Sequence, residues 1–449
     1  FSSPNFASKY VDGKPSASDD KSRSVSYYLN LNYAYNMRYL LDFNLTSNGA
    51  SQFGINDPFT TTWAVGAGWN MHNESFLENS EIVNYLKLRY SYGNPGNQNY
   101  DAKLSSSIYM YNTSLNNPFG LAAKVTTWGN NNLKWQRTVT HNFGLDVQFF
   151  DSRLNVNFDY QMRDTDPLLV RIDMPASTGS TTAPMNVGAT DNRSVSVRAT
   201  YYIIKKREFN WYVSGNLNHN TTKYKKIGNL LEEYNQRGQA SSSLMRYYDN
   251  ASTTGVYLVR SAGIDPATGN EIFIKKDGSY TYEWKQEDEV LVGDSNPKVS
   301  GALQTSLVYK GISFGAAFSY RAGSMTQLST LFNKVENIGT QQLKYNQDKR
   351  ALYDRWQKPG DKAKFKRIDD TGKTHLTTRF AEKENTFSCT SINIGYRTST
   401  AKWLKYIGAS AFNFTAYMND IFRISTIKEE RGTSYPFERS VSFSVGLNF

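Results

Sequence analysis

Apolar and polar residues alternate one for one along most of this chain. Leu41, Phe43 and Leu45 face one way and Asp42, Asn44 and Thr46 the other, because successive side chains of a strand point to opposite faces. The same split recurs where Trp63, Val65, Ala67 and Trp69 interleave with Ala64, Gly66 and Gly68, and where Leu86, Leu88, Tyr90 and Tyr92 interleave with Lys87, Arg89, Ser91 and Gly93. Phe143, Leu145, Val147 and Phe149 oppose Asn142, Gly144, Asp146 and Gln148, and Leu154, Val156, Phe158 and Tyr160 oppose Asn155, Asn157, Asp159 and Gln161. Further copies begin near Val25, Ser194, Asn210, Val299, Ile312, Phe387, Ile407 and Arg439. The pattern predicts about thirteen strands of ~9–12 residues, the length a tilted membrane strand requires. Helical spacing is confined to residues 324–356, where Leu328, Leu331, Phe332 and Val335, then Leu352, Tyr353 and Trp356, suit short helices inside a loop.

Connections alternate as regularly as the residues. Short ones are expected at Asn36-Met37-Arg38, Asp151-Ser152, 205–208, Lys310-Gly311 and 398–402, with a medium one at 71–82. Long ones lie between them, at 48–60, 94–136, 165–191, 221–297, 321–386 and 419–438. Short periplasmic turns and long extracellular loops are the signature of an antiparallel outer-membrane barrel. The expected fold is therefore all-β, a transmembrane antiparallel β-barrel with long extracellular loops. If the last strand ends in the periplasm, counting back makes the strand near Val25 run from outside to inside, and at least one upstream strand is expected beyond it. The stretch from Ser440 to Phe449 alternates without a fault and ends on an aromatic ring. Phe443, Val445, Gly446, Leu447 and Phe449 are the expected outer-membrane insertion signal of a Gram-negative barrel protein.

Composition sharpens this reading. As a soluble protein, 449 residues would suggest roughly two to four domains. A mean hydropathy of −0.59 and the lack of any long apolar run exclude a transmembrane helix. Neither excludes a barrel, whose alternating rows average to a hydrophilic-looking chain. The 31 Tyr, 25 Phe and 8 Trp supply the amphipathic rings that a barrel needs at the two bilayer interfaces. Cys389 is the single cysteine, so disulfide frameworks and Cys-ligated zinc are excluded; it reads as inert packing. His72, His141, His219 and His375 share no metal-binding spacing, and no metal or cofactor is expected. The chain opens Phe1-Ser2-Ser3-Pro4 without a visible signal peptide, as expected of a cytosolic protein with an unusual start or of a fragment.

Several segments, spread over nearly the whole chain, resemble the SusC-like TonB-dependent outer-membrane transporters. They are the stretch from Leu45 to Gly54; Ala67-Gly68-Trp69-Asn70 and Glu74-Ser75-Phe76-Leu77; the stretch from Leu86 to Gly93 with Gly96-Asn97-Gln98; and the stretch from Asn132 to Thr138 followed by Asn142, Gly144 and Asp146. Asn186-Val187-Gly188, Asn296-Pro297-Lys298, Arg355-Trp356 with Pro359-Gly360-Asp361, and the stretch from Arg431 to Pro436 continue the series. Asn48, Pro95 and Gln136 depart from the family's usual residues. The resemblance implies a barrel of about 22 strands, of which residues 1–449 are the C-terminal part. The first strands, a plug, an amino-terminal accessory domain and a TonB-contacting sequence would lie upstream. It further implies a SusD-like surface lipoprotein as a lid, the TonB complex as the periplasmic energy source, outer-membrane lipid around the wall, oligosaccharide or oligopeptide cargo, and room for a dimer of transporter–lipoprotein pairs.

The function that follows is energised import across the outer membrane, not enzyme chemistry. Expected ligand contacts are rings and a cation in the longest loops: Trp128, Arg246, Tyr247, Tyr248, Tyr282, Trp284 and Trp356. Rings stack on sugar faces or peptide side chains, and arginine pairs with carboxylates. The plainer alternative is that they pack the loops against one another or against the lid. A passive porin or adhesin is the alternative function. A barrel enzyme would need more than His219 near Thr221, or Asp369-Asp370 near His375. The basic run from Lys344 to Arg367 is expected to be a solvated face, a lid contact or a partner for lipopolysaccharide phosphates; no nucleic acid is expected.

Overall fold

The structure is a computed structural model and describes residues 23–51, 59–95, 107–117, 120–130, 132–134, 136–174, 177, 182–228, 231–240, 244–342, 344–370, 372–428, 430 and 438–449. Thirteen strands form one sheet in which every strand lies antiparallel beside its predecessor. They are β1 (Ser24–Tyr35), β2 (Tyr39–Ala50), β3 (Phe59–Asn70), β4 (Val83–Asn94), β5 (Thr138–Phe149), β6 (Leu154–Thr165), β7 (Ala189–Lys205), β8 (Phe209–Lys225), β9 (Val299–Tyr309), β10 (Ile312–Gln327), β11 (Ala381–Thr398), β12 (Ala411–Ser425) and β13 (Val441–Asn448). Short and long connections fall at opposite ends of this sheet, as the alternation predicts.

Register turns the alternation of single strands into two faces. Leu88, Leu145, Phe158, Val197 and Leu217 stand side by side across β4 to β8 on one face. One residue along, Lys87, Asp146, Asn157, Arg198 and Asn216 stand side by side on the other. The apolar row is open: Phe158 is 37% exposed and Phe443 68%. An uncovered apolar face spanning a whole sheet is unsuited to water and suited to hydrocarbon. Rings gather at its short-turn end, where Tyr39 stacks on Trp69 at 6.3 Å, Phe209 meets Tyr309 at 5.3 Å and Trp403 meets Phe412 at 5.2 Å. Glu74 takes hydrogen bonds from the Tyr39 hydroxyl (2.9 Å) and the Trp69 indole N–H (3.0 Å), so these rings keep their polar ends satisfied at an interface.

The polar face is cross-linked. Asp146 accepts from Arg89 at 2.6 Å and from Asn157 at 2.7 Å, and Arg89 also reaches Asp159 at 2.9 Å. Gln161 donates to Asn142 at 2.7 Å and Asn142 to Ser91 at 3.0 Å. Arg89 crosses the sheet only because Gly144 lies beneath it: a Cβ there would sit 2.6 Å from the Arg89 Cζ. Gly144→Val should therefore displace the guanidinium and cost about 1–3 kcal/mol. Thermal unfolding of the folded band on gels should show the loss, with Gly66→Val, whose added Cβ meets nothing closer than 3.6 Å, as the neutral control. Equal melting of both variants would contradict this role for Gly144.

Three expectations need correction. β7, β8, β10, β11 and β12 run to 17, 17, 16, 18 and 15 residues. The surplus at the long-loop end is polar, as in Thr221, Thr222, Lys223 and Lys225. Above the bilayer both faces are wet, so the hydrogen-bonded ladder continues with no apolar row to reveal it. Second, the turn expected at 398–402 reaches residue 410, because Lys402–Tyr406 is a short helix that buries Leu404. The strand then starts at Ala411 rather than near Ile407. Third, the long connections carry structure of their own: hairpins at Ile108–Asn117 with Gly120–Thr127 and Leu169–Asp173 with Thr182–Asn186, and a four-stranded sheet within 255–294. The helical spacing in 324–356 yields a π-helical turn at Leu331–Glu336 and a short helix at Arg350–Tyr353, while Ser324 still belongs to β10.

Candidate functional site

The connections at 226–298 and 328–380 fold together into one body at the long-loop end. Its core joins Val256 and Leu258 of the first to Phe332, Val335, Ala351, Phe365, Leu376 and Phe380 of the second. Eight apolar side chains from two segments far apart in sequence are buried on each other, so the two connections share one core. A buried ion triad reinforces the joint. Arg379 lies 2.8 Å from Glu271 and 2.7 Å from Glu336, with side chains 10%, 6% and 0% exposed. Thr377 donates to Glu271 at 2.7 Å and Thr374 to Glu336 at 3.2 Å. Burial pulls the Arg379 guanidinium down, but the hydrogen bonds and charges of Glu271 and Glu336 outweigh it and hold the group above its ordinary value.

The expected ligand contacts divide in two. Arg246 is 2% exposed and committed to Glu289 by bonds of 2.9 and 2.8 Å, so it braces the loop interior. Tyr247 is packed between Tyr224 and Tyr234. Trp356 lies on Gly269, where a Cβ would come within 2.6 Å of the ring, and donates its indole N–H to the Pro266 carbonyl at 2.8 Å. Arg246 and Tyr247 thus brace the first connection from within, and Trp356 fastens the second to it. Tyr248 and Tyr282 are exposed, Trp128 is half-buried, and Trp284 stacks face to face on His375 at 4.0 Å, again across the two connections.

That stack gives the loop body a titratable joint. His375 keeps an exposed side, but the loss of water from the ring face covered by Trp284, aided by the charge of Lys373 and opposed by Glu271, pushes it below its ordinary value. The folded loop thus binds the proton less readily than the unfolded chain, and loses stability as pH falls from about 6.5 through the lower folded value. The difference in tryptophan fluorescence between the native protein and Trp284→Phe should titrate with a midpoint below about 6.5. A midpoint at or above that value would contradict the burial argument.

The basic run is not one solvated face. Arg355 and Lys366 are 7% and 6% exposed, and Arg355 donates to the carbonyls of Val335 (2.5 Å) and Glu336 (2.7 Å). Arg350 joins Asp348 to Glu430, and its hydrogen bonds hold the Asp348 carboxyl down to about 2. Arg367 pairs with Asp369. Of the groups considered for catalysis, Asp370 is held by Lys366, and His219 contacts the Lys298 carbonyl at 2.6 Å. Among the described residues no hydrogen bond joins His375 to Asp369 or Asp370, and no cluster of His, Cys, Asp or Glu could hold a metal ion.

At the chain's end, Phe443, Val445 and Leu447 lie on the apolar face opposite Ala416, Phe414 and Phe412, Phe449 continues their parity, and Gly446 lies on the polar face opposite Asn413. Sequence motifs singled out earlier prove to be fasteners. Lys134 and Asn186 exchange bonds of 2.7 and 2.9 Å, and Asn296 donates to the Asn220 carbonyl at 2.6 Å. The segments at 52–58, Gly96-Asn97-Gln98 and the stretch from Arg431 to Pro436 lie outside the described residues.

No family model matches the chain. It is 23% identical over 443 residues to TonB-dependent receptor P39 of Formosa agariphila, covering 88% of this chain and 42% of that protein. It is 25% identical over 446 residues to the TonB-dependent receptor SusC of Bacteroides thetaiotaomicron, covering 94% of this chain and 43% of SusC. The structure of the RagAB peptide transporter superposes with a TM-score of 0.78 at 20% identity, over 93% of this chain and 46% of that one. The chain thus spans less than half the length of each of these proteins, and it shares the fold of their barrel wall.

Proposed function

Because the chain belongs to the SusC-like family of TonB-dependent receptors, we propose that it supplies part of the wall and the outer loops of an importer of oligosaccharides or oligopeptides in a Gram-negative outer membrane. The observation that carries this reading is the sheet, apolar on one face and cross-linked by polar side chains on the other, with β1 and β13 unpaired at its edges among the described residues. A membrane cannot accommodate open strand edges, so further strands complete the cylinder, to about 22 in this reading. Residues 1–449 are then its C-terminal part, with the plug, the accessory domain and the TonB contact supplied upstream. The joined loop body faces a SusD-like lipoprotein, and cargo held between them meets the exposed rings of Tyr248 and Tyr282 and the half-buried rings of Trp128 and Trp284.

Uptake of fluorescent oligosaccharide and oligopeptide pools by cells carrying the intact protein separates this from a passive porin. Import that stops when an ionophore collapses the proton gradient is the expected result. Uptake that continues unchanged would support the porin instead.

A further inference from the structure

The connection at 328–380 forms a half-open cavity of about 600 Å3. Small-molecule sites commonly measure ~300–1,000 Å3. Phe332 and Ala351 form a buried apolar floor, and Leu352 and Ile368, 49% and 57% exposed, stand open at the mouth. The charges around it are nearly all committed. Glu336 is held by Arg379 and Thr374, Asp348 by Arg350, Asp370 by Lys366, and Arg355 by backbone carbonyls. Lys373 is the exception: it lines the cavity, is exposed, and makes no hydrogen bond or ion pair among the described residues.

A hollow with an apolar floor and rim, whose one uncommitted charge is an ammonium, selects a molecule with an apolar body and a single anionic end. We propose that this cavity binds small apolar carboxylates, the body lying on Phe332, Ala351, Leu352 and Ile368 and the carboxylate pairing with Lys373. Asn333, Asn337 and Gln347 also line the wall, but a sugar laid on Phe332 and Ala351 would leave hydroxyls unpaired there, and a cation would meet Lys373. The carboxylate can come from the C-terminus of a short apolar peptide or from a fatty acid. The inference rests on the import reading only for the side from which the ligand arrives, and binding is measured without uptake, so the two can fail separately.

Calorimetric titration of the intact protein in lipid nanodiscs tests it, with N-acetyl-Leu-Leu, its C-terminal amide and octanoate as probes. The free carboxylate should bind roughly two- to five-fold more tightly than the amide, the size of one partly exposed charge pair. Lys373→Gln should erase that preference while leaving amide binding intact. Ile368→Asp, at an exposed rim position that does not threaten folding, should abolish binding of both carboxylate probes. Whichever of octanoate and the dipeptide binds more tightly identifies the source. Equal binding of acid and amide, a preference that survives Lys373→Gln, or no binding by either carboxylate probe would overturn the proposal.

Discussion

Arg379→Met is expected to unfasten the outer loop body while leaving the wall intact. The substitution keeps most of the side-chain volume and removes the guanidinium that bridges Glu271 and Glu336, which are 6% and 0% exposed. Stripping one partner from a buried ion group typically costs about 3–5 kcal/mol, because the remaining charges stay desolvated without compensation. The cost falls on the joint between the two connections, since Glu271 belongs to one and Glu336 to the other. Hydrogen exchange should accelerate in 255–274 and 331–336 and stay unchanged in β4 to β8. Adding Glu271→Gln and Glu336→Gln should restore part of the protection, since removing the whole charged set costs far less than orphaning part of it. Unchanged exchange in Arg379→Met would mean that the apolar core around Phe332 and Phe380 holds the body unaided.

The second large effect concerns the wall. Phe158→Arg places a cation on the apolar row and should cost about 2–4 kcal/mol if that position lies near the bilayer midplane. Asn157→Arg, one residue away on the polar face beside Asp146, should be nearly neutral. The yield of folded protein in the outer membrane and its melting on gels read the difference. A soluble sheet would tolerate the first substitution almost as well as the second. The same logic applies to β13, where Phe449→Asp should reduce assembly if the terminal strand is read during insertion, and normal assembly would remove that role.

These contrasts show why some of the molecule is legible in its sequence and some is not. Residues 154–161 declare themselves because hydrocarbon on one side and water on the other impose a period of two. The outer half of β8, from Thr221 to Lys225, does not, because no such asymmetry acts above the bilayer. The loop body is hidden for a different reason. Val256, Phe332 and Phe380 come together from separate connections, so no local spacing records their contact. Arg246 reads as a cation in a long loop, suited to a ligand carboxylate, yet its partner Glu289 stands 43 residues away and has no local signature. Motif residues are visible as a resemblance, but their work is not: Lys134 and Asn186 clasp each other across 52 residues.

In this reading the two faces of the sheet meet lipid and water, respectively, as part of a closed barrel. Spin labels placed one at a time from Leu154 to Gln161 on β6, in the intact protein within native outer membranes, test it most directly through their relaxation by oxygen and by a water-soluble nickel chelate. Positions 154, 156, 158 and 160 should respond to oxygen, and positions 155, 157, 159 and 161 to the chelate. Equal chelate access at both sets would contradict the claim.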